Sequence, residues 1–169
     1  KYAREGVSGT RFDAVEWENL LQLSEPGEWP VDTGILVEIE KPHDTAEGWG
    51  VAAGPLLQRD VGPVQLNLNL LLTRRYRTQH DGPMKLRYQA QAKVRYSEPF
   101  EFGIQAFGSL GPWDRWTSPA DQTNRIGPAV FGRLPLAGGR SLGYNLGLLL
   151  GTTDGSPDRT LRLQIEYEY

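Results

Sequence analysis

Strict period-two alternation is the feature that most restricts what this chain can become. In VQLNLNLLLT, Val64, Leu66, Leu68, Leu70 and Leu72 share one side of an extended strand, opposite Gln65, Asn67, Asn69 and Thr73. In MKLRYQAQAKVRY, Met84, Leu86, Tyr88, Ala90, Ala92, Val94 and Tyr96 oppose Lys85, Arg87, Gln89, Gln91, Lys93 and Arg95. SLGYNLGLLLG sets Leu142, Tyr144, Leu146, Leu148 and Leu150 against Gly143, Asn145, Gly147 and Gly151. VDTGILVEIE sets Val31, Thr33, Ile35, Val37 and Ile39 against Asp32, Glu38 and Glu40. The terminal TLRLQIEYEY does the same with Leu161, Leu163, Ile165, Tyr167 and Tyr169 against Arg162, Gln164, Glu166 and Glu168. No segment carries a helical period, and the 20 glycines and 12 prolines are scattered as punctuation between strands. The pattern predicts an all-β, antiparallel chain with nine strands near 11–23, 31–40, 49–59, 63–75, 83–96, 99–109, 126–135, 141–151 and 160–169.

Alternation alone does not say which face is inside. A soluble sandwich or lipocalin-like carrier turns the apolar face inward, and a transmembrane barrel turns it outward. Three details favour the outward arrangement. Small residues sit on polar faces (Gly103, Gly143, Asn145, Gly147), where a narrow barrel interior needs them and a solvated face does not. Aromatic residues gather at strand ends, with Tyr96, Phe100, Phe102, Tyr167 and Tyr169 at one rim and Trp49 and Tyr76 at the other. The last strand is amphipathic to its final aromatic residue. Short connections (59–63, 97–99, 135–141) alternate with longer polar ones (41–49, 74–83, 111–124, 151–159), as in an up-and-down barrel with short turns on one side of a membrane and long loops on the other. The connection at 24–30 is longer than the other short ones. The expected fold is therefore an antiparallel up-and-down transmembrane β-barrel, one domain over 1–169.

Composition narrows the function classes. The net charge is −3 with no basic tract, so a nucleic-acid partner is not expected. With no cysteine there is neither a disulfide framework nor a thiolate metal site. No apolar run approaches the roughly 20 residues of a membrane helix. The opening KYAREGVSGT has no apolar h-region, so no signal peptide is expected within it, and the lack of an initiating Met is expected of a mature or truncated chain.

The terminal LRLQIEYEY resembles the C-terminal β-signal by which the bacterial outer-membrane assembly machinery recognises its clients, and Leu161, Leu163, Ile165, Tyr167 and Tyr169 are its matching positions. VEWENLLQL, GPLLQRDVGPVQLNLNLLL, FEFGIQAFGSL, IGPAVFGRLPL and LGYNLGLLLGTTDGSPDRTLRLQIEYEY are similar to a broad group of proteobacterial outer-membrane barrels, like the transporters of the phenol-degradation MetA-pathway type. This resemblance covers most of the chain, rests on strands and turns, and carries no catalytic residue. It implies a bacterial outer-membrane location, lipid and lipopolysaccharide as surroundings, the barrel-assembly machinery as a partner, and further strands upstream. Single-chain bacterial barrels have an even number of strands, from about 8 upward. Nine therefore implies a complete barrel of about 10 to 12 strands, or another protein or strand that covers the open edge.

The inward charges are the candidate functional set: Glu38, Glu40, Lys85, Arg87, Lys93, Arg95, Glu101, Arg162, Glu166 and Glu168. The tight turn at 97–99 should let Arg95 or Lys93 meet Glu101, with Glu166 and Glu168 at the same depth across the lumen. Glu38 and Glu40 should lie at the other end, near Lys85 and Arg87. Such charges either fill a narrow barrel with ion pairs or set the selectivity of a polar path. His43–Asp44 and His80–Asp81 are a generic pattern for general-base or metal chemistry, more simply read as solvated loop residues. No hydrolase or phosphate-loop motif occurs, so neither enzyme activity nor a metal or other cofactor is expected. Trp113 and Trp116 mark a loop that folds over the mouth with its tryptophans in lipid headgroups or packed, or that recognises a ligand or partner, and Arg74, Arg75 and Arg77 a basic strand end suited to lipopolysaccharide phosphates or to solvent.

Overall fold

Alternating segments become strands because each can pair its backbone only with another extended segment while keeping its two faces apart. The computed structural model describes residues 2–4, 10–12, 14–77 and 82–169. Strands β1 (Tyr2–Arg4) and β2 (Thr10–Phe12) form a short antiparallel pair with Tyr2 opposite Phe12. Among the described residues, nine further strands form one sheet: β3 (Ala14–Gln22), β4 (Asp32–Pro42), β5 (Trp49–Val61), β6 (Val64–Tyr76), β7 (Lys85–Ser97), β8 (Phe100–Pro112), β9 (Thr123–Pro135), β10 (Ser141–Gly151) and β11 (Arg159–Glu168). Each pairs antiparallel with the next in sequence, an up-and-down meander in the order in which the strands are made. A one-turn 3-10 helix, Thr45–Glu47, lies between β4 and β5.

The sheet coils into a half-barrel and does not close. Among the described residues, β3 pairs only with β4 and β11 only with β10, so each has one edge of its backbone without a described partner. Because every junction is antiparallel, β3 and β11 run in the same direction.

Tight coiling needs backbones to approach closely at a few points. At Gly54 a Cβ would collide with the Leu70 carbonyl, and at Gly127 with the Leu148 carbonyl. Only glycine allows the sheet to bend this sharply there. The neighbouring backbone runs on into Leu71 and Leu149, the largest fully buried side chains among the described residues. On the other face, the Tyr88 ring lies across Gly108 and donates its hydroxyl to Asn124 Oδ1 at 2.8 Å, tying β7 and β8 to β9. Tyr144 crosses Gly132 in the same way and donates to the Pro99 carbonyl at 2.8 Å.

Large apolar side chains are exposed on the convex face, and the concave face buries polar side chains beside Leu36, Leu71, Phe131 and Leu149. Leu146, Leu148, Leu161, Leu163 and Ile165 are exposed on the convex face, the last three at 73, 62 and 62%. Gln65 and Gln105 are buried on the concave face, at 6 and 2% exposure. Residues 43–48, 77–84, 113–122 and 152–158 connect strands at one end, hereafter the loop end. Residues 23–31, 62–63, 98–99 and 136–140 connect them at the other, the turn end. Two of the long loops interlock, with Thr153 Oγ1 donating to the Gln122 carbonyl at 2.6 Å and Asn124 N–H donating to Ser156 Oγ at 2.7 Å. No described helix is long and apolar enough to cross a membrane, which has no bearing on crossing by strands.

All nine expected strands are present, with shifted limits. Near 11–23 the chain forms two strands, β2 and β3, and β1 precedes the nine expected segments. β8 runs on to Pro112 and β9 starts at Thr123, so the 111–124 loop is shorter than its sequence suggests. The cause is an irregularity opposite Leu86 and Arg87, which pair with Gly111 and Ser109 and leave Leu110 as an extra residue that breaks the period of two.

Candidate functional site: the concave face

Pairing brings the inward residues into three zones. At the loop end, Glu38, Glu40, Lys85 and Arg87 line one cavity of about 410 Å³ with Arg75. This matches the expected neighbourhood of the four charges. Arg75, expected at a free strand end, instead donates to Glu40 Oε1 at 3.1 Å and to Glu47 Oε2 at 3.3 Å. Arg74 lies over the Tyr76 ring at 5.1 Å.

Acidic residues crowd this zone more than the sequence reading foresaw. The β3–β4 register sets Glu16 opposite Glu40 and Glu18 opposite Glu38. Carboxylate oxygens of Glu16, Glu38 and Glu40 lie within 4.8 Å of one another. Like charges directly opposite on a sheet face destabilise it. Glu16 and Glu18 escaped notice because the run Asn19–Leu20–Leu21 hides the alternation of β3.

At the turn end, Lys93, Arg95, Glu101, Arg133, Glu166 and Glu168 line a cavity of about 640 Å³. Lys93 Nζ meets Glu101 Oε2 at 2.6 Å, both side chains more than four-fifths buried, and also lies 5.7 Å from the Phe131 ring centre. Arg95 does not share that carboxylate. The β7–β8 register slips between Val94 and Ser97, and Arg95 Nη1 pairs with Asp60 Oδ2 at 2.9 Å. Glu168 accepts from Arg133 Nη2 at 2.8 Å and from Ser141 Oγ at 2.9 Å.

Between these ends lies a zone in which amides predominate. Gln22, Gln58, Asn67, Gln91, Gln105 and Asn145 are among the residues around a cavity of about 470 Å³. Gln105 Nε2 donates to Gln91 Oε1 at 3.0 Å. Arg162 lines the same cavity, its guanidinium 5.1 Å from the Phe107 ring centre. Residues of β3 (Leu20, Gln22) and of β11 (Arg162, Gln164) border this one cavity, so the two open edges face a common space. Each amide was visible in the alternation, but the band forms only when five or more strands are set in register.

The outward set behaves as a group. Leu161, Leu163, Ile165, Tyr167 and Tyr169 are all exposed, and the two tyrosine rings lie 6.4 Å apart. Trp49 and Tyr76 are directly paired at the loop end, with Lys41 Nζ 5.6 Å from the Trp49 ring. Trp113 and Trp116 are exposed rather than packed. His43 and Asp44 are exposed, and the other half of that pattern, His80–Asp81, lies outside the described residues.

Comparison of the chain with protein-family models, with curated proteins and with solved structures gives no match.

Proposed function

We propose that this chain is the membrane-embedded part of a bacterial outer-membrane β-barrel that passes a small solute along its concave face. The observation that carries the reading is the exposed apolar convex face. Exposed leucines, isoleucine and tyrosines form a continuous convex face, while glutamines and ion pairs occupy the concavity. Monomeric soluble proteins rarely expose contiguous apolar patches beyond a few hundred Å². A lipid-facing belt accounts for it, and strands of 9 to 13 residues suit the roughly 9–11 residues needed to cross tilted. The C-terminal strand has the form of an assembly signal, consistent with the resemblance to proteobacterial outer-membrane barrels and with lipid, lipopolysaccharide and the assembly machinery as partners.

An unpaired strand edge in lipid costs several kcal/mol per unsatisfied group, of order, so the reading also requires a cover for β3 and β11. Because those strands run in the same direction, an all-antiparallel closure takes an odd number of added strands. The shared cavity between the edges favours one, giving about 10 strands in all. Its inward face should be basic beside Glu16 and Glu18.

The test is reconstitution of the complete folded protein into lipid bilayers. Conductance or vesicle flux of a small solute is expected, and its absence for every small solute tried would leave the second reading. That reading is a structural barrel plugged by its own ion pairs, favoured by the close Lys93–Glu101 contact. No enzyme activity is proposed.

A further inference from the structure

Among the described residues, Arg75, Lys93, Arg95 and Arg133 form ion pairs at the two ends, whereas Arg162 in the middle zone and Arg125 beside it do not. Arg125 donates from Nη1 to Thr160 Oγ1 at 3.3 Å, and Arg162 from Nη2 to Gln164 Oε1 at 2.7 Å. Neither forms an ion pair with any described carboxylate. They flank one aromatic residue: Arg125 is directly opposite Phe107 on the neighbouring strand, and Arg162 lies over its ring. The one carboxylate that lines the same cavity, Asp32, accepts the Gly27 N–H at 2.7 Å.

Polar atoms without partners cluster at the same place. Arg162 Nη1, Asn145 Oδ1 and Gln105 Oε1 are buried and unbonded. Gln105 is 98% buried by its 2% exposure, and its amide nitrogen is already used on Gln91. Gly147 lies opposite Arg162 and keeps the space in front of Gln105 open, since a Cβ there would come within 3.1 Å of Gln105 Oε1. Buried polar groups are nearly always bonded, so three orphans around one cavity call for a ligand or ordered water.

We propose that this pocket is a binding site for a small organic anion, a carboxylate that also carries hydroxyl or amide hydrogens. Arg162 Nη1 donates to the carboxylate. Gln105 Oε1 and Asn145 Oδ1 accept from the ligand's O–H or N–H groups. The Phe107 ring offers an apolar wall to its carbon skeleton. Arg162, outside any described ion pair, favours anions over cations beside the unbonded amides, and the cavity's one carboxylate, Asp32, is engaged by the Gly27 N–H. A cavity of about 470 Å³ falls within the usual range for small-ligand sites.

This site rests on the barrel reading for its access route, but its ligand can be tested apart from passage. The complete protein, folded in detergent, is dialysed against radiolabelled lactate, with glycerol as the neutral probe. It is also reconstituted into vesicles for flux and for reversal potential in a potassium chloride gradient. Saturable lactate binding without glycerol binding is expected, with anions preferred in the reversal potential. Arg162→Gln should weaken lactate binding about tenfold, as loss of a charge-assisted hydrogen bond does. Arg162→Lys, which keeps the charge, should retain most of it and controls for folding. Binding without flux supports the site and removes the transport reading. Flux with equal passage of lactate and glycerol, untouched by Arg162→Gln, overturns the site and leaves transport standing.

Discussion

The two ends of the trough handle charge differently. At the turn end three ion pairs form, Lys93 with Glu101, Arg95 with Asp60 and Arg133 with Glu168, while Glu166 lines the turn-end cavity outside them. At the loop end, on the β3 side, four glutamates face one another in two like-charged pairs. Arg75 divides itself between Glu40 and Glu47, and no described cation forms an ion pair with Glu16 or Glu18. The paired end uses the interior strands β5, β7, β8 and β9 and, through Glu168, the edge strand β11. The crowded end includes the other edge strand, β3. The closing strand proposed above would be felt most at the crowded end, where Glu16 and Glu18 of β3 face like charges.

Breaking the paired end should give the largest effect. Lys93→Ala strands a largely buried Glu101 carboxylate, and we expect a loss of about 3 kcal/mol, read from the denaturant midpoint of the micelle-folded protein. An unchanged midpoint would mean that water reaches Glu101 freely. The crowded end should respond in the opposite sense. Glu18→Gln removes one like-charged opposition and should stabilise the chain by a few tenths of a kcal/mol, roughly. In the complete protein the same change should be neutral or harmful, because a basic closing strand would lose its partner; equal stabilisation in both would show that no such cation is supplied. The smallest effect is expected at Arg133→Ala, since that pair is half exposed, and exposed pairs contribute under about 1 kcal/mol. Arg95, half exposed against Asp60, belongs with Arg133 rather than with Lys93, so its removal is a poor test for a plugged lumen.

Much of the architecture could be read before any coordinates. Leucines at 66, 68, 146 and 163 carry a period of two that no helix tolerates, and their exposure on the convex face agrees with the outward orientation inferred from small residues on the polar side. The loop-end grouping of Glu38, Glu40, Lys85 and Arg87 followed from strand direction alone. What could not be read depended on register. A slip between Val94 and Ser97 sends Arg95 to Asp60, and an extra Leu110 lengthens β8. Neither leaves a mark in hydropathy. The unbonded cluster at Gln105, Asn145 and Arg162 draws on β8, β10 and β11, so single-strand patterns cannot reveal it.

If the chain is the membrane barrel proposed above, the shared heading of β3 and β11 has a consequence among neighbours of its own kind. Two molecules inserted the same way up could join rims only through side-by-side strands pointing alike, the weaker ladder geometry. Any sibling brought alongside would offer a poorer seam than one descending strand set between the two rims. On that proposal, an odd tally discourages clumping of like with like and favours one added antiparallel strand.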